Sequence, residues 1–95
     1  MRMMLRWTVP VDKGNEMVDD GSMGEMVDTL MRKLKPEAAY FMPEGGERAG
    51  MMVFDMKDSS EIPGIAEILF HDAEANVEFS PVMNADDLKK GLGSR

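Results

Sequence analysis

Arg48-Ala49-Gly50-Met51-Met52-Val53-Phe54-Asp55-Met56 is the stretch on which the fold turns. Met51 to Phe54 is apolar without alternation, the pattern of a strand buried on both faces. Just upstream, Ala38 to Met42 is strand-like, and Pro43-Glu44-Gly45-Gly46-Glu47 can supply the positive φ of a tight turn. Two strands joined by a short Gly-Gly loop predict a β-hairpin.

Working outward, Met1 to Val9 predicts another strand. Met3, Leu5, Trp7 and Val9 fall on one face, Arg2, Met4, Arg6 and Thr8 on the other, and Pro10 stops it. Its second face is mixed rather than polar, so the strand is expected to be central and covered on both sides. From about Asp12 to Leu34 the spacing becomes helical, with Met23, Met26, Val27, Leu30, Met31 and Leu34 forming a stripe. Gly14, Gly21 and Gly24 each weaken a helix by about 1 kcal/mol relative to Ala, so a break is expected between Asp19 and Gly24. Lys33 and Lys35 suit the helix end, and Pro36 stops it.

Beyond the hairpin, Asp58, Ser59 and Ser60 offer caps for a second helix over Ile62 to about Phe70, with Pro63 tolerated in its first turn. Val77, Phe79 and Pro81, opposed by Glu78, Ser80 and Val82, predict an edge strand, since it holds a proline. Asn84 caps a short terminal helix through Leu88 and Leu92, with Asp86 and Asp87 at its start and Lys89 and Lys90 near its end.

The order strand, helix, strand, strand, helix, strand is the split βαβ pattern of an α+β ferredoxin-like domain, a four-stranded antiparallel sheet with both helices on one face. Residues 1 to 95 suffice for one such domain. Its first and third strands are central, and here they are the two with apolar residues on both faces. The uncovered face therefore predicts a homodimer, with a second sheet over Met4 and either Met51 with Val53 or Met52 with Phe54. Such burial stabilises at about 25 cal/mol per Å². The competing arrangement folds the terminal helix under the sheet.

The chain carries 18 acidic and 11 basic residues, net −7, with no basic run longer than Lys-Lys. Nucleic-acid binding is disfavoured, because neutralising phosphates needs a basic stripe, and anionic lipid is repelled. No segment reaches the roughly 20 apolar residues of a membrane span. Absence of cysteine excludes disulfides, thiolate metal sites and cysteine nucleophiles by inventory. Met1 to Val9, with Arg2 and Arg6, lacks the h-region of a signal peptide, and cytoplasm is the default compartment. Twelve methionines read as flexible core fillers, because Met3, Met4, Met51 and Met52 sit inside strand-like runs rather than on ligand loops. No metal site and no cofactor is implied.

Three stretches together, Met3-Met4-Leu5-Arg6-Trp7, Val53-Phe54-Asp55 with its Asp58-Ser59-Ser60 cap, and Val77-Glu78-Phe79-Ser80-Pro81-Val82-Met83, resemble the small uncharacterised proteins of the DUF3303 type, within the dimeric α/β-barrel superfamily. Phe70-His71 stands where relatives often carry a Trp near the end of the second helix. The resemblance implies a dimer whose sheets face each other across a shared cavity. It carries no agreed reaction and transfers no catalytic residue, since the superfamily spans oxygenases, isomerases, haem-degrading enzymes and ligand sensors.

Candidate pocket residues follow from side-chain chemistry. Arg6 and Asp55 lie on the two central strands, where antiparallel pairing places them on one face within reach of an ion pair. Arg6 would then hold a carboxylate or enolate, and Asp55 would accept a proton if burial raised its pKa; the plain alternative is an ion pair fixing subunit register. Trp7 and Tyr40 would line a pocket for a planar ligand, or serve simply as core aromatics. His71 is a general base or ligand candidate, or else a cation at the C-terminal end of the second helix. Gly45-Gly46 lacks the helix and Lys of a phosphate loop, and the acidic residues Glu16, Asp19, Asp20, Glu25 and Asp28 lack calcium-loop spacing. Two classes result: a noncatalytic homodimeric module enclosing a small hydrophobic or weakly anionic ligand between its sheets, or a cofactor-independent monooxygenase- or isomerase-like enzyme acting on a small aromatic or enolisable molecule.

Overall fold

The computed structural model describes Met1 to Gly93. Strand β1 (Arg2–Val9) is followed by α1 (Val11–Asp20), α2 (Ser22–Leu34), β2 (Ala38–Glu44), β3 (Glu47–Asp55), a 3-10 turn (Ser59–Glu61), α3 (Ile62–Ala73), β4 (Asn76–Pro81) and α4 (Ala85–Gly93). The sheet is antiparallel in the order β2-β3-β1-β4, with β1 and β3 central. This is the ferredoxin-like α+β arrangement that the pattern of periods predicts.

Local chemistry sets the boundaries. The long first helix breaks at Gly21, whose φ of 83° closes α1 and opens α2, while the Asp20 carboxylate accepts from the Ser22 amide at 2.8 Å. That hydrogen bonding from Ser22 lowers the Asp20 pKa. The β2–β3 turn is tighter than expected, consisting of Gly45 and Gly46 with φ of 59° and 81°, and β2 runs on through Pro43 to Glu44 because an edge strand tolerates a missing N–H. Ahead of α3, Asp58 and Glu61 form a reciprocal capping box, the Ser60 amide donating to Asp58 and the Asp58 amide to Glu61, each at 3.0 Å. Asn84 and Asp87 cap α4 the same way, at 2.8 and 3.1 Å.

Burial alternates along β1, with Met3, Leu5, Trp7 and Val9 inside. Register pairs Leu5 with Met52 and Met3 with Phe54, so these four face the helices and pack against Met17, Met26, Leu30, Leu34, Ile65 and Leu69. The choice left open by the uniformly apolar run is thereby settled. Met51 and Val53 share the helix-free face with Met4 and Arg6 and are only partly buried.

The competing arrangement, a terminal helix folded beneath the sheet, is not what forms. All residues of α4 are exposed, and the molecule extends 52 × 26 × 17 Å. Its radius of gyration, 14.8 Å, exceeds the roughly 12 Å of a compact chain this long. Among the described residues no helix is long and apolar enough to cross a membrane.

Candidate functional site

A groove of about 820 Å³ lies on the helix side, where α1 and α2 diverge from the β2–β3 hairpin. Its position follows from strand order. The helices cover the central strands, and edge strand β2 overhangs them, leaving Phe41 53% exposed. Trp7 projects from β1 across β3 toward this overhang and meets the Phe41 ring edge-on, centroids 6.2 Å apart and planes at 67°. Val9, Val11, Met23 and Val27 complete an apolar lining.

The groove's polar element is Arg48. Its guanidinium donates to the Asn15 side-chain oxygen at 3.0 Å and, at 3.5 Å, to the carbonyl of Val11. Gly14 makes the approach possible, since a Cβ there would stand 2.7 Å from the Arg48 Nη1. Both acceptors are neutral, and among the described residues no carboxylate lies within 4 Å of this guanidinium. Asp28 and Glu47 also line the groove but do not reach it. An apolar trough whose fork-shaped donor bonds neutral oxygens, with Asp28 and Glu47 further off in the same lining, can offer that donor to a ligand having a flat apolar body and a carboxylate.

The residues singled out from sequence fall in several places. Arg6 and Asp55 do share the helix-free face, but Arg6 lies opposite Met51, and Asp55 lies opposite Arg2. Four residues of strand separate them, about 13 Å at the rise of a β-strand. They form no pair: Arg6 bonds Glu44, and Asp55 bonds Lys57 and the Met1 amino group. The Asp55 pKa falls rather than rises, because the Lys57 ammonium and then the amino terminus outweigh desolvation and hold the exposed carboxylate down to about 2. This makes it a weak base.

Trp7 and Tyr40 cannot line one pocket, because register puts them on opposite faces. Trp7 is 4% exposed and pairs with Gly50 and through it Phe41, whereas Tyr40 lies beside Met51 on the helix-free face and is 65% exposed. His71 sits on the outer surface of α3, in its last turn, with Nε2 2.9 Å from Glu67 one turn earlier, and it does not border the groove. The dimer-face candidates Met4, Met51 and Val53 form a contiguous patch on the helix-free face. Among the described residues no cluster of three His, Asp or Glu could hold a metal ion.

Sequence reasoning missed Phe41, Arg48 and Asn15. One signal was available: Gly50 is a glycine inside a strand otherwise built of bulky residues, which marks a close approach by another group. That group is the Trp7 indole.

No protein-family model and no curated protein matches the chain. Among solved structures it resembles the de novo designed protein Ferredog-Diesel, with a TM-score of 0.51, 9% identity, and 85% of each chain covered. At that identity the likeness concerns the fold alone, which is the ferredoxin-like one.

Proposed function

We propose that this chain is a noncatalytic homodimeric binding module for a small, flat, hydrophobic molecule carrying a weak acid group. The seat is the Trp7–Phe41 groove rather than the space between two sheets. The observation that carries the reading is the Arg48 guanidinium, held at the rim of an aromatic-floored trough by neutral oxygens alone among the described residues. In such a site the apolar body supplies most of the affinity, and the bidentate cation selects the carboxylate. The helix-free face, with Met4, Met51 and Val53 partly exposed, takes a second copy. Kinship with the DUF3303-type proteins and a cytoplasmic location belong to the same reading.

Titration calorimetry with 1-naphthoate, alongside its neutral analogue 1-naphthylmethanol, tests the ligand class. Trp7 is the sole tryptophan, so its single indole N–H resonance reports occupancy of the groove. The expected result is that naphthoate binds at least tenfold more tightly, shifts that resonance, and loses the advantage in Arg48→Ala. Equal affinity for acid and alcohol, or no binding at millimolar concentration, overturns the proposal. Sedimentation of the free protein tests the dimer.

A further inference from the structure

The α2 wall of the groove carries a carboxylate that the fold leaves unspent. Met23 and Val27, and beside them Gly24 and Asp28, stand four residues apart on α2, so each pair stacks along the groove. Among the described residues Asp28 takes part in no ion pair. Arg32, one turn further along α2 and within reach for an i, i+4 pair, does not bond it.

Glu47 borders the same groove, but its carboxylate belongs to the other face of the sheet. Glu47 stands opposite Glu44 in the register, and Glu44 bonds Arg6 on the helix-free face. Arg48 stands opposite Val9, which is buried under the helices. Successive strand residues alternate between faces, so Arg48 is on the groove side and Glu47 is not. Asp28 is then the acid of the groove, and it stands on a different wall from the base. Arg48 is tied to α1 through Asn15 and the Val11 carbonyl, whereas Asp28 belongs to α2, and the two do not pair with each other.

A ligand with a carboxylate alone would satisfy Arg48 and leave Asp28 unanswered. The net charge of −7 also opposes the approach of a free anion, while it is indifferent to a zwitterion. Room is not limiting: about 820 Å³ lies toward the upper end of the roughly 300–1,000 Å³ of small-molecule clefts, enough for a polar group beyond a two-ring body.

We infer that the ligand of the groove is amphoteric, a flat aromatic acid that also bears a protonated amine, with its carboxylate on Arg48 and its ammonium on Asp28. The inference rests on the groove reading above and names the second functional group of the same ligand. Both charges of the groove are neutralised in one binding event, and the ring system lies on Trp7 and Phe41.

The test compares 1-naphthoate with its 4-, 5- and 6-aminomethyl derivatives, a set that varies the spacing of acid and amine, by titration calorimetry on the full chain. The Trp7 indole N–H resonance reports entry into the groove. At least one derivative should bind at least tenfold more tightly than naphthoate, and Asp28→Asn should bring that ratio to within twofold of one. Asp28 is exposed, so circular dichroism of the variant should match the parent. Glu47→Gln should preserve the ratio. If no derivative outbinds naphthoate, or if the gain survives Asp28→Asn or vanishes in Glu47→Gln, the amphoteric ligand is overturned, and naphthoate binding that needs Arg48 leaves the earlier reading standing. Failure of naphthoate and every derivative to bind at millimolar concentration overturns both.

Discussion

The Trp7 indole lies directly over the α-carbon of Gly50: a Cβ built on that glycine would stand 2.3 Å from Cζ2 and 2.6 Å from Cη2. The ring is rigid and lies against the β3 backbone, so neither side can yield by rotating a flexible tail. Gly50→Ala is therefore expected to destabilise the fold by about 1–3 kcal/mol, the usual cost of overfilling a core. A urea titration followed by circular dichroism measures this, and Trp7 emission should shift to the red in the folded variant as the indole is pushed toward the groove. A variant as stable as the parent, with unshifted emission, would remove Gly50 as the reason that the groove has an aromatic floor.

Gly14 poses a similar constraint with the opposite consequence. Its missing Cβ would meet Arg48 at Nη1, 2.7 Å away, and Cδ, 3.3 Å away, both on a flexible side chain that can swing aside. Alanine in a helix is favoured over glycine by up to about 1 kcal/mol. Gly14→Ala should thus leave stability unchanged or slightly raised while it displaces Arg48 from Asn15 and Val11. Under the proposed function, naphthoate affinity falls in this variant although its urea midpoint does not. A parallel loss of both would point to general damage in α1 instead.

How much of this was legible in the chain depends on the range of each interaction. The Gly45-Gly46 hairpin, the break at Gly21 and the caps at Asp58 and Asn84 are set by neighbours a few residues apart, and the sequence carries them openly. Alternation in β1 also reads directly, since a two-residue period is local. Met51 to Phe54 hides its inner face because all four side chains are apolar, and only pairing with β1 decides that Met52 and Phe54 go in. The Arg6–Asp55 idea had the face right but the register wrong. Which residues stand opposite one another depends on where β1 and β3 begin to pair, and α1, α2 and β2 separate those strands in the chain. The groove was the least legible feature, being assembled from Trp7, Asn15, Val27, Phe41 and Arg48 on five separate elements.

Adjacent methionines on β3 offer a test of face assignment. Met52 is fully buried among the helices, so Met52→Ala should cost about 2–5 kcal/mol in unfolding free energy through the cavity it leaves. Met51, one residue earlier on the helix-free face, has no such enclosure. Met51→Ala is expected to alter unfolding by less than about 1 kcal/mol at concentrations where the protein is monomeric. Denaturant midpoints of the two variants settle the matter, and comparable losses would mean that the helix-free face is covered within a single chain.

The carboxylate of Asp55 makes stability depend on pH at the acid end. Lys57 and the Met1 amino group bond it in the folded state and hold its pKa down to about 2, below its ordinary value of 3.8. The unfolded chain therefore takes up a proton at Asp55 before the folded one does, which favours unfolding as acid is added. This contribution is fully present above the unfolded pKa and is lost as pH falls through the folded one. Asp55 is exposed and its partners are screened, so the effect is modest and should shrink further in 1 M salt. In Asp55→Asn the slope of unfolding free energy between pH 4 and about 2 should be shallower than in the parent by up to one proton, with little change in slope above pH 5. Thermal or urea unfolding at half-unit pH intervals gives both slopes. Equal slopes in parent and variant across the acid range would mean that the Lys57–Asp55 contact does not persist in solution.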